Sequence, residues 1–580
     1  MPRDFDAIDT YVQEAMESWQ CPGVALAIVQ GGEVLHAAGY GVRDTESGAP
    51  VTPDTLFAIA SITKSFTSMG VALLVDEGLV EWDKPVRTYL PEFKLKDGYI
   101  SEHATVRDLL CHRIGLPRHD MAWYGTNFDR PTLIKNLEHF EFSRGFREAF
   151  QYQNMMYMTA GYLTGQVAGT TWENFVQARI FNPLGMTRAC FSPDVLPQRG
   201  DYATPYRIKR TPGEPDRLES MEHYSQSTLG PAGSIHASAS ELATWLSVHL
   251  NQGRYNGMQF VTPGNLHQMH LPQMIRPIDA TMATMLNTEI FLYTLGWFMS
   301  PYRGYTLIHH GGNIDGFSLI VGFVPQAQIG VVALTNVEAR PLRDILLYEV
   351  CDRLLDLPDN NWNGRYHDYY DAFYAAIDQD AETTAAERIA DRPPTHPLAD
   401  YVGEFEAEGY ADFKVRLEGD TLQGWFGGEW FALNHQHFDI FNLDMQRFES
   451  RLPVSFQVDV TGEIASLAFQ VEPEVKAVTF TRKPLEMPAD DLALMVGEYD
   501  MPFEGMTVTF VVKQGRAYSQ LTGQTELELV PYRHTETGAE FKMKKHPEVR
   551  VELVRGDGDA YAELIIKEPG AVFNAPRIVG

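Results

Sequence analysis

The chain has 580 residues, with 47 Lys and Arg against 77 Asp and Glu, for a formal charge of −30. So acidic a chain disfavours nucleic acid and anionic membranes as partners, because both are held by cationic side chains that displace counterions. With 44% hydrophobic and 12% aromatic residues and no apolar run long enough for a bilayer, the composition is that of a folded protein of more than one domain.

In chain order, residues 5–17 read as an amphipathic helix, and Gly23–Val29 with Glu33–Gly39 as a hairpin turning at Gly31-Gly32. The N-terminal stretch Met1–Asp9 carries no apolar export segment, so the cytoplasm is the expected compartment. In the stretch Phe57–Met69, Ile62, Phe66, Met69 and Leu73 recur at helical spacing, which predicts a helix with one buried stripe, stopped near Gly78. Ser61 falls at its N-terminal end, where unpaired N–H groups and the positive dipole end favour a developing anion. Lys64 lies one turn along on the same face, and as a neutral amine it could take the serine's proton. A lone Ser-x-x-Lys is weak by itself, since an N-cap serine and a solvated lysine give the same pattern.

Residues 80–250 read as a largely helical insertion broken by turns at Leu116-Pro-Arg118 and Asn182-Pro-Leu-Gly185. Three apolar strands follow, Tyr305–His310, Gly316–Val324 and Ile329–Thr335, then a helix near 341–356, so the sheet opened by the first hairpin is completed late. Residues 359–397 read as a tyrosine-rich helical connector ending in the stiff Arg392-Pro-Pro-Thr-His-Pro397. Beyond it, short β-rich runs dominate, and Leu398–Phe405 matches Leu492–Tyr499 at an offset of 94 residues. The expected organisation is a catalytic unit 1–358, a connector 359–397 and two small antiparallel β-barrels, 398–485 and 490–580. Cys21, Cys111, Cys190 and Cys351 are widely spaced, which favours buried thiols over disulfides or a zinc knot.

A nucleophilic Ser61 needs a proton route and oxyanion donors. Tyr152-Gln-Asn154 precedes a helical pattern: the Tyr152 phenol could act as base and acid, partly as phenolate beside Lys64. The Asn154 amide could accept from the lysine and donate to a substrate carbonyl. His310-Gly-Gly312 is expected to end a strand, with the glycines letting substrate lie against the backbone and the Asn313 N–H pairing with that of Ser61. His309 and His310 should point to opposite faces, and no metalloenzyme motif accompanies them, so neither metal nor cofactor is expected.

Taken together, Ser61-Ile-Thr-Lys64, Tyr152-Gln-Asn154 and His310-Gly-Gly312, in that order, resemble the three motifs of the penicillin-recognising serine hydrolases, a family that includes class C β-lactamases, penicillin-binding proteins, D-aminopeptidases and esterases. Thr105-Val-Arg-Asp-Leu-Leu110, Gly115-Leu-Pro117, Ala232-Gly-Ser234, Gly316-Phe317 and Phe323-Val-Pro325 extend the likeness over roughly residues 8–356. The resemblance implies an α/β β-lactamase-like catalytic domain, an antiparallel sheet flanked by helices with an all-helical subdomain. Its implied catalytic residues are Ser61, Lys64, Tyr152 and His310, with Asn154, Gly311, Gly312 and Asn313 binding substrate. The third motif departs from the Lys-Thr-Gly usual in β-lactamases. His-x-Gly followed by two barrels is similar to the three-domain D-aminopeptidases, which implies acyl transfer on a short peptide, amide or ester. An esterase and a non-turnover acyl-trapping sensor are the alternatives, and whether the chain forms a homo-oligomer is left open.

Overall fold

The computed structural model describes residues 5–210, 215–386, 389, 391–445, 450–460, 462–535, 537–556 and 561–578. Residues 1–4, where the expected absence of an export segment begins, and residues 387, 388 and 390 of the expected connector lie outside the described residues. The chain forms two compact units, one of residues 1–387 with Glu472–Val475, the other of residues 388–471 and 476–580. Among the described residues no helix is long and apolar enough to cross a membrane.

The first unit is built on one antiparallel nine-stranded sheet. Its order is Met274–Ile275, Leu292–Tyr293, Phe298–Tyr302, Tyr305–Ile314, Phe317–Val324, Ile329–Thr335, Gly23–Gln30, Glu33–Asp44 and Ala49–Pro50. The first strand therefore lies beside the last, with Val24 opposite Thr335 and Gln30 opposite Ile329. Period-two alternation sorts the two faces. Val24, Leu26, Ile28, Val331 and Ala333 form one core with Ile8 and Val12 of the helix Asp6–Ser18 and with Leu346 and Val350 of the helix Leu342–Leu354. On the other face Gly330 lies under Leu246 and Leu250 of the helix Ala239–Leu250.

The helix Thr63–Asp76 follows a short 3-10 turn, Ala60–Ile62, and ends before Gly78, whose φ is 70°. Sequence periodicity anticipates one buried stripe, whereas every residue from Thr63 to Leu74 is buried. The polar residues are accommodated by backbone acceptors: the Ser65 hydroxyl donates to the Ile62 carbonyl at 2.8 Å and that of Thr67 to the Pro231 carbonyl at 2.6 Å. The segment expected to be helical carries helices such as Asn154–Ala168 and Ala239–Leu250, but they are parted by long loops and by small hairpins such as Tyr206–Lys209 with Arg217–Ser220. The helix Trp362–Ala386, read from the sequence as part of a connector, packs within the first unit: Trp362 is buried and its indole N–H donates to Asp352 at 2.7 Å.

The second unit holds a closed eight-stranded antiparallel barrel, from Gly403–Glu406 to Val478–Arg482, and a second eight-stranded sheet, from Gly497–Asp500 to Ala571–Pro576. A bridge between Tyr499 and Arg577 joins the edges of the latter, making it barrel-like. The repeated octapeptide is the opening turn and first strand of each. Tyr401 and Met495, and likewise Phe405 and Tyr499, are fully buried at equivalent places. Each opening turn is held by an arginine at the far end of its own sheet. Arg482 donates to the carbonyls of Asp400 and Val402 at 2.6 and 2.5 Å, and Arg577 to those of Leu494 and Val496 at 3.1 and 2.5 Å. The guanidinium passes over the glycine that follows, since a Cβ would lie 2.6 Å from Arg482 at Gly403 and 2.8 Å from Arg577 at Gly497. The duplication thus extends to the residue that closes each ring. Removing such a charged donor leaves two carbonyls without it, so Arg482→Ala and Arg577→Ala should each cost about 1–3 kcal/mol in urea unfolding. Unchanged midpoints in both would show that these clamps do not hold the barrels.

Candidate active site

Ser61 stands where a strand runs into a helix. Phe57–Ala58 pairs with His236–Ala237, Ile59 donates to the Ile235 carbonyl at 2.8 Å, and Ala60 turns the chain with φ 46°. A left-handed alanine costs on the order of 1–2 kcal/mol, and it sits immediately before the serine. The strand Tyr305–Ile314 holds this turn from the other side. A Cβ on Gly312 would lie 2.3 Å from the Ile59 carbonyl oxygen, so only glycine permits the approach. His310-Gly-Gly312 therefore lies inside a strand rather than at its end, with the turn at Asp315-Gly316. Arg343 braces the same strand by donating to the Gly312 carbonyl at 2.6 Å, to Asn313 Oδ1 at 2.9 Å and to the Leu319 carbonyl at 3.1 Å.

Lys64 Nζ lies 3.0 Å from Ser61 Oγ and donates to the Ala232 carbonyl at 2.9 Å. The lysine is fully buried, and burial first, then the nearby Arg118 guanidinium, hold its amine well below the ordinary lysine value. The Tyr152 side chain faces the Ser61 hydroxyl, and Lys64 Nζ stands 4.8 Å from the centroid of its ring. Burial pushes the phenol up to about 12, with the Ser61 side chain and Arg118 opposing it only in part. The expectation of a phenolate is thus reversed: with Lys64 itself biased towards the neutral amine, too little positive charge remains to stabilise the anion.

Asn154 is the first residue of the helix Asn154–Ala168, capped by Gln153, whose side chain accepts from the Met155 N–H at 2.8 Å. Its amide donates to Asp120 at 3.2 Å rather than engaging Lys64. Asp120 also accepts from Trp123 at 3.0 Å and pairs with Arg118 at 2.6 Å. Arg118 is half exposed and stands 5.1 Å from the Tyr152 ring centroid.

His310 is buried. Its Nδ1–H donates to the Gly311 carbonyl at 2.7 Å, while Nε2 lies 3.2 Å from the Tyr293 hydroxyl. Tyr293 in turn lies 3.4 Å from the hydroxyl of Tyr157, which donates to the Leu110 carbonyl. Burial, reinforced by Lys64, holds the imidazole neutral. Both ring nitrogens are thus engaged within the protein, and the residue supports the strand from behind. Among the described residues no cluster of side chains has the composition of a metal site. Sequence reasoning missed Arg118, Asp120, Tyr293 and Arg343. Arg118 closes the turn Leu116-Pro-Arg118 that the sequence marks, whereas nothing local in the sequence marks Asp120 or the other two.

Residues 8–350 match the family described as Beta-lactamase, and residues 387–482 match a domain of unknown function, DUF3471. The chain belongs to the Beta-lactamase family and is a serine hydrolase of that fold. It is 27% identical to an Unguisins hydrolase of Aspergillus campestris over 71% of this chain and 78% of the relative. Among solved structures, an octameric penicillin-binding protein homologue from Pyrococcus abyssi aligns with a TM-score of 0.56 at 20% identity, over 91% of this chain and all of that one. A D-amino acid amidase from Ochrobactrum anthropi aligns at 0.50 with 23% identity, over 60% of this chain and 98% of that one.

Gly312→Ala should push the strand away from the Ile59–Ala60 turn. It should abolish most hydrolysis of a chromogenic ester and lower stability by about 1–3 kcal/mol. Wild-type rates in a folded Gly312→Ala variant would show that this approach does not set the site.

Proposed function

We propose that the chain hydrolyses short peptides, amides or esters through an acyl-enzyme on Ser61, and that it is a D-stereospecific aminopeptidase or amidase rather than a β-lactamase. The observation that carries this reading is a fully buried lysine 3.0 Å from the serine hydroxyl, with its amine depressed by burial. A neutral Lys64 has a lone pair to receive the Ser61 proton as Oγ attacks the substrate carbonyl carbon. Oxygen charge then develops against the N–H groups of Ser61 and Asn313, a pairing supported by the close approach of Gly312 to the Ile59–Ala60 backbone. Lys64 and Tyr152 return the proton to the leaving amine or alkoxide, and water attacks the acyl carbon by the same route in reverse. Asn154 orients the substrate carbonyl, and His310 acts through the strand.

The substrate preference follows from the third motif. His310 is neutral and internally bonded, Gly311 has no hydroxyl, and Arg343 is committed to two carbonyls and an amide oxygen. Arg118 is paired with Asp120. Substrates without a free carboxylate beside the scissile bond should therefore outperform penicillins, by roughly ten- to a hundredfold for one missing charge-assisted bond. The test compares kcat/KM for a D-alanine p-nitroanilide, its L-isomer and a chromogenic cephalosporin. Fastest turnover of the cephalosporin would refute the preference, and equal rates for the two isomers would refute the stereochemistry. Ser61→Ala should be folded and inactive, and mass spectrometry should find the acyl adduct of a slow substrate on Ser61 and nowhere else.

The two shifted groups also fix the sign of the pH dependence. Because neutral Lys64 is the base, kcat/KM should rise as pH rises through its depressed value, and should fall again only towards about 12, where Tyr152 loses the proton it must donate. Lys64→Arg, which cannot deprotonate, should be inactive throughout. An acid limb unchanged in Lys64→Arg would remove the lysine from the mechanism.

A further inference from the structure

The residue that brackets Tyr152 is His112, which lies outside the three motifs. It follows the short helix Val106–Leu110 and is itself left-handed, with φ 60°, so the chain reverses at this point. The reversal leaves its carbonyl and its ring facing the same neighbouring segment. The Gln151 N–H donates to the His112 carbonyl oxygen at 2.8 Å, and the Gln153 N–H donates to its Nδ1 at 3.0 Å. One residue thus holds the backbone on both sides of Tyr152. Its ring also packs on the Tyr152 ring, centroid to centroid 4.2 Å, and on those of Tyr293 at 4.7 Å and Tyr157 at 5.1 Å. His112 is buried. Because Nδ1 accepts from an amide, the proton of the neutral ring is on Nε2, and burial beside Lys64, His310 and Arg118 keeps the second proton off.

We propose that His112 is a positioning residue for the proposed acyl transfer: its carbonyl and Nδ1 form a two-point clamp that sets the Tyr152 hydroxyl against Ser61 and Lys64. The inference rests on the reading of Tyr152 as a proton carrier, and its physical content is geometric. A free Gln153 N–H would let the Tyr152-Gln-Asn154 segment move relative to Ser61, and a displacement of about 1 Å is enough to cost about 100-fold in rate. No other nitrogen or oxygen of His112 touches the reacting groups among the described residues, so its effect must pass through this segment.

The variants separate the clamp from simple packing. Asparagine tolerates the left-handed region and carries an acceptor oxygen where His112 has Nδ1, so His112→Asn keeps the second point of the clamp while losing the ring. His112→Ala loses both. The expected result on a chromogenic ester is a fall of about 100-fold in kcat for His112→Ala with KM changed less than about threefold, and recovery to within about tenfold of wild type in His112→Asn. On a Tyr152→Phe background the same His112→Ala change should cost less than about threefold, because the group it positions has already gone. Crystal structures of wild type and His112→Ala supply a readout independent of turnover and should differ in the separation of the Tyr152 hydroxyl from Ser61 Oγ. Equal losses in the Ala and Asn variants, or an undiminished loss on the Tyr152→Phe background, would overturn the clamp. An active wild type with an unaltered His112→Ala would overturn it and leave the acyl-transfer reading intact. A wild type inert towards all the substrates, whose variant nevertheless shows a displaced Tyr152, would sustain the clamp and refute the reading it serves.

Discussion

The site depends on a buried amine that has no carboxylate in ion-pair contact among the described residues. Keeping Lys64 as an ammonium in the core would cost several kcal/mol, so the protein stabilises the neutral form and then has to satisfy its N–H groups. That requirement reaches far along the chain. The Ala232 carbonyl must point at Nζ, which fixes the short helix Gly230–Gly233, and Thr67 fastens the same turn through the Pro231 carbonyl. Pro231 in turn presses on the helix Asn154–Ala168 where Gly161 stands, since a Cβ there would lie 2.2 Å from the proline ring. The register of that helix sets where it begins, and Tyr152 and Asn154 are at its beginning. The first and second motifs are thus connected through the packing of one proline against one glycine.

The serine is fixed by a second constraint, close backbone approach. The left-handed Ala60 and the bare Gly312 let the 3-10 turn and the strand Tyr305–Ile314 come within contact distance. Strain at Ala60 is sustained because the turn is held from two sides, by the Ile235 carbonyl and by this strand. Arg343 then stiffens the strand with bonds to the carbonyls of Gly312 and Leu319.

Much of this was legible in the sequence because it lies in local pattern. Apolar runs parted by Gly and Pro turns marked the sheet strands, and the octapeptide repeat marked the two sheets of the second unit. The convergence of Ser61, Lys64 and Tyr152 was legible through the spacing and order of their motifs. What failed to show follows one physical rule: periodicity registers contrast between apolar and polar residues, and a polar residue with a backbone acceptor can be buried without contrast. Ser65 and Thr67 made a wholly buried helix look amphipathic. His112, Tyr293 and Arg343 were invisible for a related reason, since their roles consist of bonds to residues between 17 and 41 positions away. The Tyr152 phenolate was misjudged because charge proximity can be read from motifs, whereas desolvation cannot.

The third motif shows how desolvation shapes the substitution of histidine for lysine. A second ammonium at position 310 would stand within the field of Lys64 in the same dry region, and each would make the other harder to protonate. A neutral imidazole avoids that conflict and adds a function a lysine lacks, because it both donates and accepts. Its Nδ1–H ties the ring to the Gly311 carbonyl, and its Nε2 receives the Tyr293 hydroxyl, which lies beside Tyr157, whose own hydroxyl donates to the Leu110 carbonyl. Leu110 ends the short helix that leads towards His112, so the strand bearing the third motif and the segment that holds the second meet through two uncharged phenols whose oxygens stand 3.4 Å apart and whose protons are each donated elsewhere. An uncharged contact of this kind avoids the cost of burying an ion. It fixes the two walls of the site relative to each other without adding a charge that would compete with the lysine for neutrality.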